Sequence, residues 1–244
     1  MMLNLAPSAN SAPLARQLGS HALTHAYAIV RNPEQFVVIW LFPLLGLLLG
    51  FYLAPELNLT PSSVTASAVG LAVFSTSFTT VALTTDRHTF DRLAATPLGR
   101  AGLSVGTALA IWLIIATQLV LIFLAAIWLG WQPQHTPSGF LLAFVAALVS
   151  MVTFSCLGLL AANLAPMWLR LGVVITVFLG GTFLGGLVVP ISSFPDWVQP
   201  ILWLLPTGAL GEALRQGSMM GLLVLACWCW LSVLLARRFH RWLS

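Results

Sequence analysis

Six stretches of this chain are long, apolar and free of any charged residue: 36–53, 64–83, 105–129, 140–164, 171–189 and 219–236. Each is long enough to cross a hydrocarbon layer of about 30 Å. A charge at the centre of such a segment costs about 2.5–3.5 kcal/mol, which accounts for their purity. Charged residues make up only 7% of the chain against 59% hydrophobic. That leaves too little polar surface to coat a water-soluble core, and disorder requires low hydrophobicity. The expectation is an all-α integral membrane protein, one domain over residues 1–244, with six transmembrane helices.

The segments between the runs add detail. No secretory signal opens the sequence. Leu14, Leu18, Ala22, Ala26 and Ile29 recur at helical spacing, with Arg16, Gln17, Ser20, His21, Thr24 and His25 mostly on the other side. This predicts an amphipathic helix over Leu14–Arg31 at the membrane interface, ended by Asn32-Pro33. Pro43 predicts a kink in the first span. Residues 198–205 are apolar but too short to span and are bracketed by Pro195, Pro200 and Pro206, which predicts a re-entrant or interfacial helix before the last span. Phe194, Trp197, Trp203, Glu212 and Arg215 belong to this segment, and Glu212 and Arg215 at i, i+3 read as a structural pair.

Every basic residue is an arginine. Arg16, Arg31, Arg87, Arg92, Arg100, Arg170, Arg237, Arg238 and Arg241 all fall on one side of a six-span topology, and only Arg215 falls on the other. The positive-inside rule then puts both termini in the cytoplasm. Lacking lysine, the chain holds no standard P-loop, so any ATPase driving it is a separate chain. The scattered arginines form no nucleic-acid stripe. Catalysis is not expected. No acidic residue lies in a span, and His21 and His25 have no third ligand nearby, so no metal site is expected. Cys227 and Cys229 lie two apart on a helix and face opposite ways. They and Cys156 read as apolar filler. A proton-coupled carrier would need embedded ionisable groups, and Gln118 and Asn163 are the main polar cases beyond hydroxyls.

Span two carries Ser75, Thr76, Thr79 and Thr80. Such hydroxyls either pack helices together or line a path, and Phe42 in span one is placed with them as a pathway residue. Gly46/Gly50, Gly102/Gly106 and Gly181/Gly185 each fit the small-xxx-small pattern of close helix approach. Between spans two and three, residues 86–95 predict a short charged helix with Phe90 and Leu93 on one face. Such a helix either docks in a partner's groove or lies flat on lipid.

Three motifs, in order, carry a family resemblance. Arg31-Asn32-Pro33 leads into Leu41-Phe42-Pro43-Leu44. Residues 89–98 read TFDRLAATPL. Residues 190–199 read PISSFPDWVQ, followed by Leu204-Leu205-Pro206 and Ala213-Leu214-Arg215. Together they resemble type-2 ABC exporter permeases, with the small drug-exporter permeases of the daunorubicin-resistance type as the nearest subgroup. The resemblance covers nearly the whole chain. It departs where Arg87-His88 replace the family's glutamate and glycine, and where Gly208 lies in the region of a common tyrosine. Both departures bear on subgroup and substrate.

The resemblance implies a half-transporter in a bacterial cytoplasmic membrane. Its partners are a P-loop ATPase subunit, which binds ATP and magnesium, and a second copy or a paralogue; this chain carries no cofactor. Residues 86–95 become a coupling helix, with Asp86, Thr89, Phe90, Arg92 and Leu93 as ATPase contacts and Arg16 and Gln17 flanking them. Spans one and five form the dimer seam, with Gly46, Gly50, Gly181 and Gly185 as candidate interface glycines. Short re-entrant outer helices precede the last span. The cargo expected is amphiphilic or apolar: a drug, lipid or glycolipid. Two other readings remain, a membrane scaffold that recruits a cytoplasmic partner and a secondary carrier.

Overall fold

The structure, a computed structural model, describes residues 14–56, 59–84, 99–132, 137–164 and 166–240. Among them there is no strand, and nearly every residue is helical. Helix α1 is Leu14–Arg31. Helix α2 is one rod in three parts, Pro33–Phe36, Val37–Leu41 and Phe42–Leu53. Helix α3 is Pro61–Thr84, α4 is Gly99–Trp128 and α5 is Pro137–Leu164. Helix α6 is Met167–Leu179, extended by Gly180–Leu184. Two short helices follow, α7 (Gln199–Leu204) and α8 (Pro206–Gln216), and α9 is Met219–His240.

Four of these are long and apolar enough to cross a membrane: Pro61–Thr84, Val105–Trp128, Pro137–Asn163 and Met219–Arg238. The apolar parts of α2 and α6, Val37–Leu53 and Trp168–Leu184, are shorter. The reason lies at their ends. α2 opens with a polar turn behind Asn32-Pro33, and α6 stops at Gly185-Gly186, where Gly186 takes φ +77°. A left-handed residue ends a helix, and glycine adopts that conformation without strain.

Three helices contain a π-helical turn: Val37–Leu41 in α2, Ser75–Thr79 in α3 and Gly180–Leu184 in α6. Such wide turns recur at functional positions in helices. The one in α2 comes immediately before Pro43, whose ring cannot donate to the preceding turn.

Helix α3 is the axis of the bundle. Residues 64–80 are buried without a break, and α2, α4, α5, α6 and α8 all pack against it. Its residues show why. A helix apolar or small on every side has no solvent face, and Ala66, Ala68, Gly70 and Ala72 let neighbours approach closely. Gly46 on α2 would set a Cβ 3.3 Å from Leu71, and Gly50 would set one 2.6 Å from Val64. On the other flank, Gly158 of α5 lies against the Phe78 carbonyl, where a Cβ would sit at 2.6 Å. Phe74 stacks with Phe78 and Phe178 and meets Phe154 at 4.7 Å between ring centroids.

Helix α1 does not lie free. Ala22, Ala26 and Ile29 are buried against Ala110 and Ile114 of α4 and Ile39 of α2. Leu23, Tyr27 and Val30 are the large apolar side chains exposed on it among the described residues. Among the large exposed aromatics, Tyr52, Trp128 and Trp197 lie towards the Pro61 end of the bundle and Trp168 towards the Thr84 end. Rings at both levels match the aromatic belts of membrane proteins.

The Gly158 contact yields a test. Gly158→Ala drives a Cβ into backbone, so it should lose about 1–3 kcal/mol as overpacking does. Gly172→Ala, where nothing lies within 4 Å, should leave stability unchanged. Thermal unfolding of both variants in one detergent compares them directly, and equal melting temperatures would contradict the packing of α5 on α3.

Candidate functional site

The hydroxyl face of α3 is the first candidate. Ser75, Thr76 and Thr80 are completely buried and Thr79 nearly so. Thr79 donates to the Ser75 carbonyl of its own helix, as Thr65 does to Pro61 and Thr84 to Thr80. The hydroxyls of Ser77 and Thr80 have no partner among the described residues. Phe42 is half-buried, edge-on to Phe178 at 5.2 Å and to Phe183 at 6.5 Å between centroids. Within one chain, then, the proposed pathway residues lie in packed interior.

Thr76 does more than fill space. Its hydroxyl donates to Gln118 Oε1 on α4 at 2.8 Å, and Gln118 Nε2 donates to the Ile39 carbonyl on α2 at 2.5 Å. In an α-helix the Ile39 carbonyl would accept from residue 43, but that residue is proline and has no N–H. Its usual α-helical donor is therefore missing, and in lipid an unpaired backbone group is costly. Gln118 supplies the missing donor from a neighbouring helix. Thus α2, α3 and α4 meet at one buried amide, between the π turns of α2 and α3.

The second candidate lies at the Pro61 end of the bundle. Helix α8 is short and polar, yet residues 206–214 are all buried. Small residues allow this. A Cβ on Gly208 would collide with the Leu202 carbonyl, one on Gly211 would lie 2.8 Å from the Gly186 carbonyl, and one on Gly221 of α9 would lie 2.7 Å from the Ala209 carbonyl. The broken end of α6 leaves carbonyls with no helical donor. Thr207 Oγ1 donates to Gly185 at 3.2 Å, Arg215 Nη1 to Gly186 at 2.9 Å, and Arg215 Nη2 to Leu187. The same Nη2 donates to Ser67 of α3 at 3.1 Å. Glu212 lies 3.7 Å from Arg215 and also accepts from the backbone of Ile191. The pair expected between Glu212 and Arg215 is therefore present, and it is buried. An arginine at a helix C-terminus also complements the helix dipole.

The remaining aromatics of the segment sit outward. Trp197 is exposed, while Phe194 and Trp203 are half-buried. Trp228 of α9 donates to the Leu204 carbonyl at 2.7 Å, tying α7 to the last span. That link has no sequence signal beyond a tryptophan in a span.

Gly46, Gly50, Gly181 and Gly185 all face inward in this chain. Gly46 and Gly50 meet α3; Gly181 would place a Cβ 2.9 Å from Phe74, and Gly185 meets Thr207. Gly106 admits the His21 ring of α1. His21 and His25 stack with centroids 6.0 Å apart, and burial lowers the pKa of His25, with His21 adding to the effect. Among the described residues no three His, Cys, Asp or Glu side chains converge as metal ligands. The coupling residues Asp86, Thr89, Phe90, Arg92 and Leu93 lie outside the described residues. Of their expected neighbours, Arg16 is exposed and Gln17 half-buried on α1.

What these sites share is mechanical. They hold helices to one another through carbonyls freed by breaks, and among the described residues no metal-ligand cluster converges in them. The class they define is a helical membrane protein with a rigid central helix and a buried, broken segment at one end. The chain belongs to the ABC-2 type transporters, whose family model matches residues 22–233. It is thus the membrane domain of an ABC transporter, a permease rather than the catalytic part. No curated protein and no solved structure matches it.

The Gln118 bridge is testable. Gln118→Leu strands the Ile39 carbonyl and should destabilise the protein by about 1–3 kcal/mol. Pro43→Ala restores an N–H to that turn, so Gln118→Leu should cost less in the Pro43→Ala background, a coupling of about 0.5 kcal/mol or more. Strictly additive effects in a double-mutant cycle would show that Gln118 does not serve the proline-broken turn.

Proposed function

We propose that this chain is the permease subunit of an ATP-driven exporter that moves an amphiphilic or apolar cargo out across a bacterial cytoplasmic membrane. The observation that carries the reading is α3, a fully enclosed rod inside a chain of this family. One of its ends leads straight into residues 85–98, and the other packs on the broken segment and α8. In this reading α2, α3, α4, α5, α6 and α9 are the six spans, and α7 and α8 are re-entrant. The Thr84 end, with Arg31, Arg170, Arg237 and Arg238, faces the cytoplasm. Both termini lie there too.

The power comes from a partner P-loop ATPase, which binds ATP and magnesium. It docks on the helix at 86–95 through Asp86, Thr89, Phe90, Arg92 and Leu93, flanked by Arg16 and Gln17 of α1. ATP binding draws two such permeases together or apart, and hydrolysis resets them. The second permease, a copy or a paralogue, meets α2 and α6. The inward glycines leave the other faces of these helices free, and Leu45, Leu48, Leu49, Leu171 and Ile175 are exposed there. Since the hydroxyls of α3 are enclosed by their own chain, the cargo path runs between the two permeases, along α2 and Phe42. Ser75, Thr76, Thr79 and Thr80 would reach it only as the helices around them shift. A drug, lipid or glycolipid fits apolar walls of this kind.

The decisive experiment is affinity purification of the tagged chain in mild detergent, with the bound proteins identified by mass spectrometry. A P-loop ATPase should co-purify in stoichiometric amount. Phe90→Asp places a charge in the docking patch and should weaken that association by about 2 kcal/mol or more, roughly 30-fold, while the melting temperature of the permease stays as it was. Full ATPase retention by a folded Phe90→Asp protein would remove the helix at 86–95 from the coupling role. Absence of any ATPase would favour a scaffold or a carrier.

A further inference from the structure

Arg215 has more partners than a structural ion pair requires. Its guanidinium joins three parts of the chain. It springs from α8, bonds the Gly186 and Leu187 carbonyls at the broken end of α6, bonds Ser67 in the first turns of α3, and is neutralised by Glu212. Burying a cation this way is favourable only with a counter-charge and hydrogen-bond acceptors. Glu212 supplies the charge, three oxygens take up Nη1 and Nη2, and Nε is buried with no partner among the described residues. The planar fork of arginine reaches several acceptors at once, which the point charge of lysine does not.

The surroundings leave no slack. A Cβ on Gly70 of α3 would lie 2.8 Å from Leu187 and 3.2 Å from Leu214. Gly211 packs on the Gly186 carbonyl, and Thr207 holds Gly185. Interiors packed like this move as blocks and do not deform continuously.

We propose that Arg215 is a positioning residue that fuses the start of α3, the broken end of α6 and the re-entrant helix α8 into one rigid piece. A displacement of α3 begun at residues 85–98 then carries the outer segment with it, so the ATPase stroke reaches the far face of the membrane without a hinge. This rests on the reading of the chain as an ATP-driven permease. Arg215 touches no reacting atoms; it acts through the elements it joins.

The test uses the full chain co-purified with its ATPase in lipid nanodiscs, with Cys156, Cys227 and Cys229 replaced by alanine. Spin labels go on two pairs of exposed positions at the outer end. Thr60→Cys with Gln216→Cys reports within the piece, and Trp128→Cys with Gln216→Cys reports between the piece and α4. Distances are read by electron paramagnetic resonance, without nucleotide and after trapping with ATP and vanadate, which leaves ADP and vanadate bound to the ATPase. In the otherwise native protein the 60–216 distance should stay narrow and fixed in both states, while the 128–216 distance shifts. Arg215→Gln should broaden the 60–216 distribution and at least halve the 128–216 shift. Arg215→Lys keeps the charge without the fork and should fall between the two. If Arg215→Gln does not fold, Arg215→Lys carries the comparison.

A nucleotide-dependent change in the 60–216 distance of the native protein would overturn the rigid piece, as would an Arg215→Lys protein indistinguishable from the native one. If no ATPase co-purifies, the reading of the function fails instead. A 60–216 distribution that still broadens in the variants would then keep the rigid piece and remove only its part in the stroke.

Discussion

The enclosure of α3 is the constraint on which the rest of the structure depends. Lipid tails are as apolar as leucine, so helices in a bilayer gain little from hiding greasy faces from one another. They associate through close packing and through hydrogen bonds that lipid cannot offer. Helix α3 supplies both means. Glycines on both sides of the contacts bring α2, α5 and α8 close to it, α5 as far as the Phe78 carbonyl, and Thr76 and Ser67 bond to α4 and α8. The larger aromatics, Phe74 and Phe78, fill the wider gap towards α5 and α6. A bundle assembled in this way has its tightest packing at the centre and its leucine-rich faces outside.

Each break in a helix is paid for by a side chain from elsewhere. Pro43 removes a donor, and Gln118 replaces it. Gly185 and Gly186 end α6 early, and Thr207 and Arg215 take up its carbonyls. These two repairs sit at different depths and both bond to α3, one through Thr76 and one through Ser67. The Thr76–Gln118 bridge and the Arg215 cluster are thereby accounted for as repairs, which explains how a chain with so few charges still buries an arginine and a glutamate together.

Much of this fold was legible in the sequence, and the boundary of legibility has a physical cause. Runs without charge are a local property, so the apolar helices, the amphipathic α1 and the short helix between Pro195 and Pro206 could be read directly. The family match agrees with what the three motifs implied. The direction a residue faces is a different matter. Gly46 and Gly50 satisfy a packing pattern whatever helix they meet, and they meet α3. A threonine in a helix can always bond its own backbone, as Thr65 and Thr79 do, so hydroxyls alone do not separate a packed interior from a path. Most hidden were bonds between distant positions: Gln118 and Ile39 are 79 residues apart, and Arg215 and Ser67 are 148 apart. Gln118 stood out as an unusual residue, but its partner is a carbonyl, which no sequence pattern marks.

The π turns have one more consequence. A wide turn holds one residue more than an α turn, and one residue rotates a helix by about 100°. In α3 the turn at Ser75–Thr79 lies between the part that packs on α8 and the part that leads to residue 84. The two halves of this rod are therefore set at an angular offset that a regular helix of the same composition would not have. Loss of one residue there would keep the hydropathy and the length almost as they were, yet it would turn every side chain beyond it to a new neighbour. The length of α3 in this chain is thus fixed to the single residue, and among relatives an insertion or deletion inside it would have to be matched by another in the same helix.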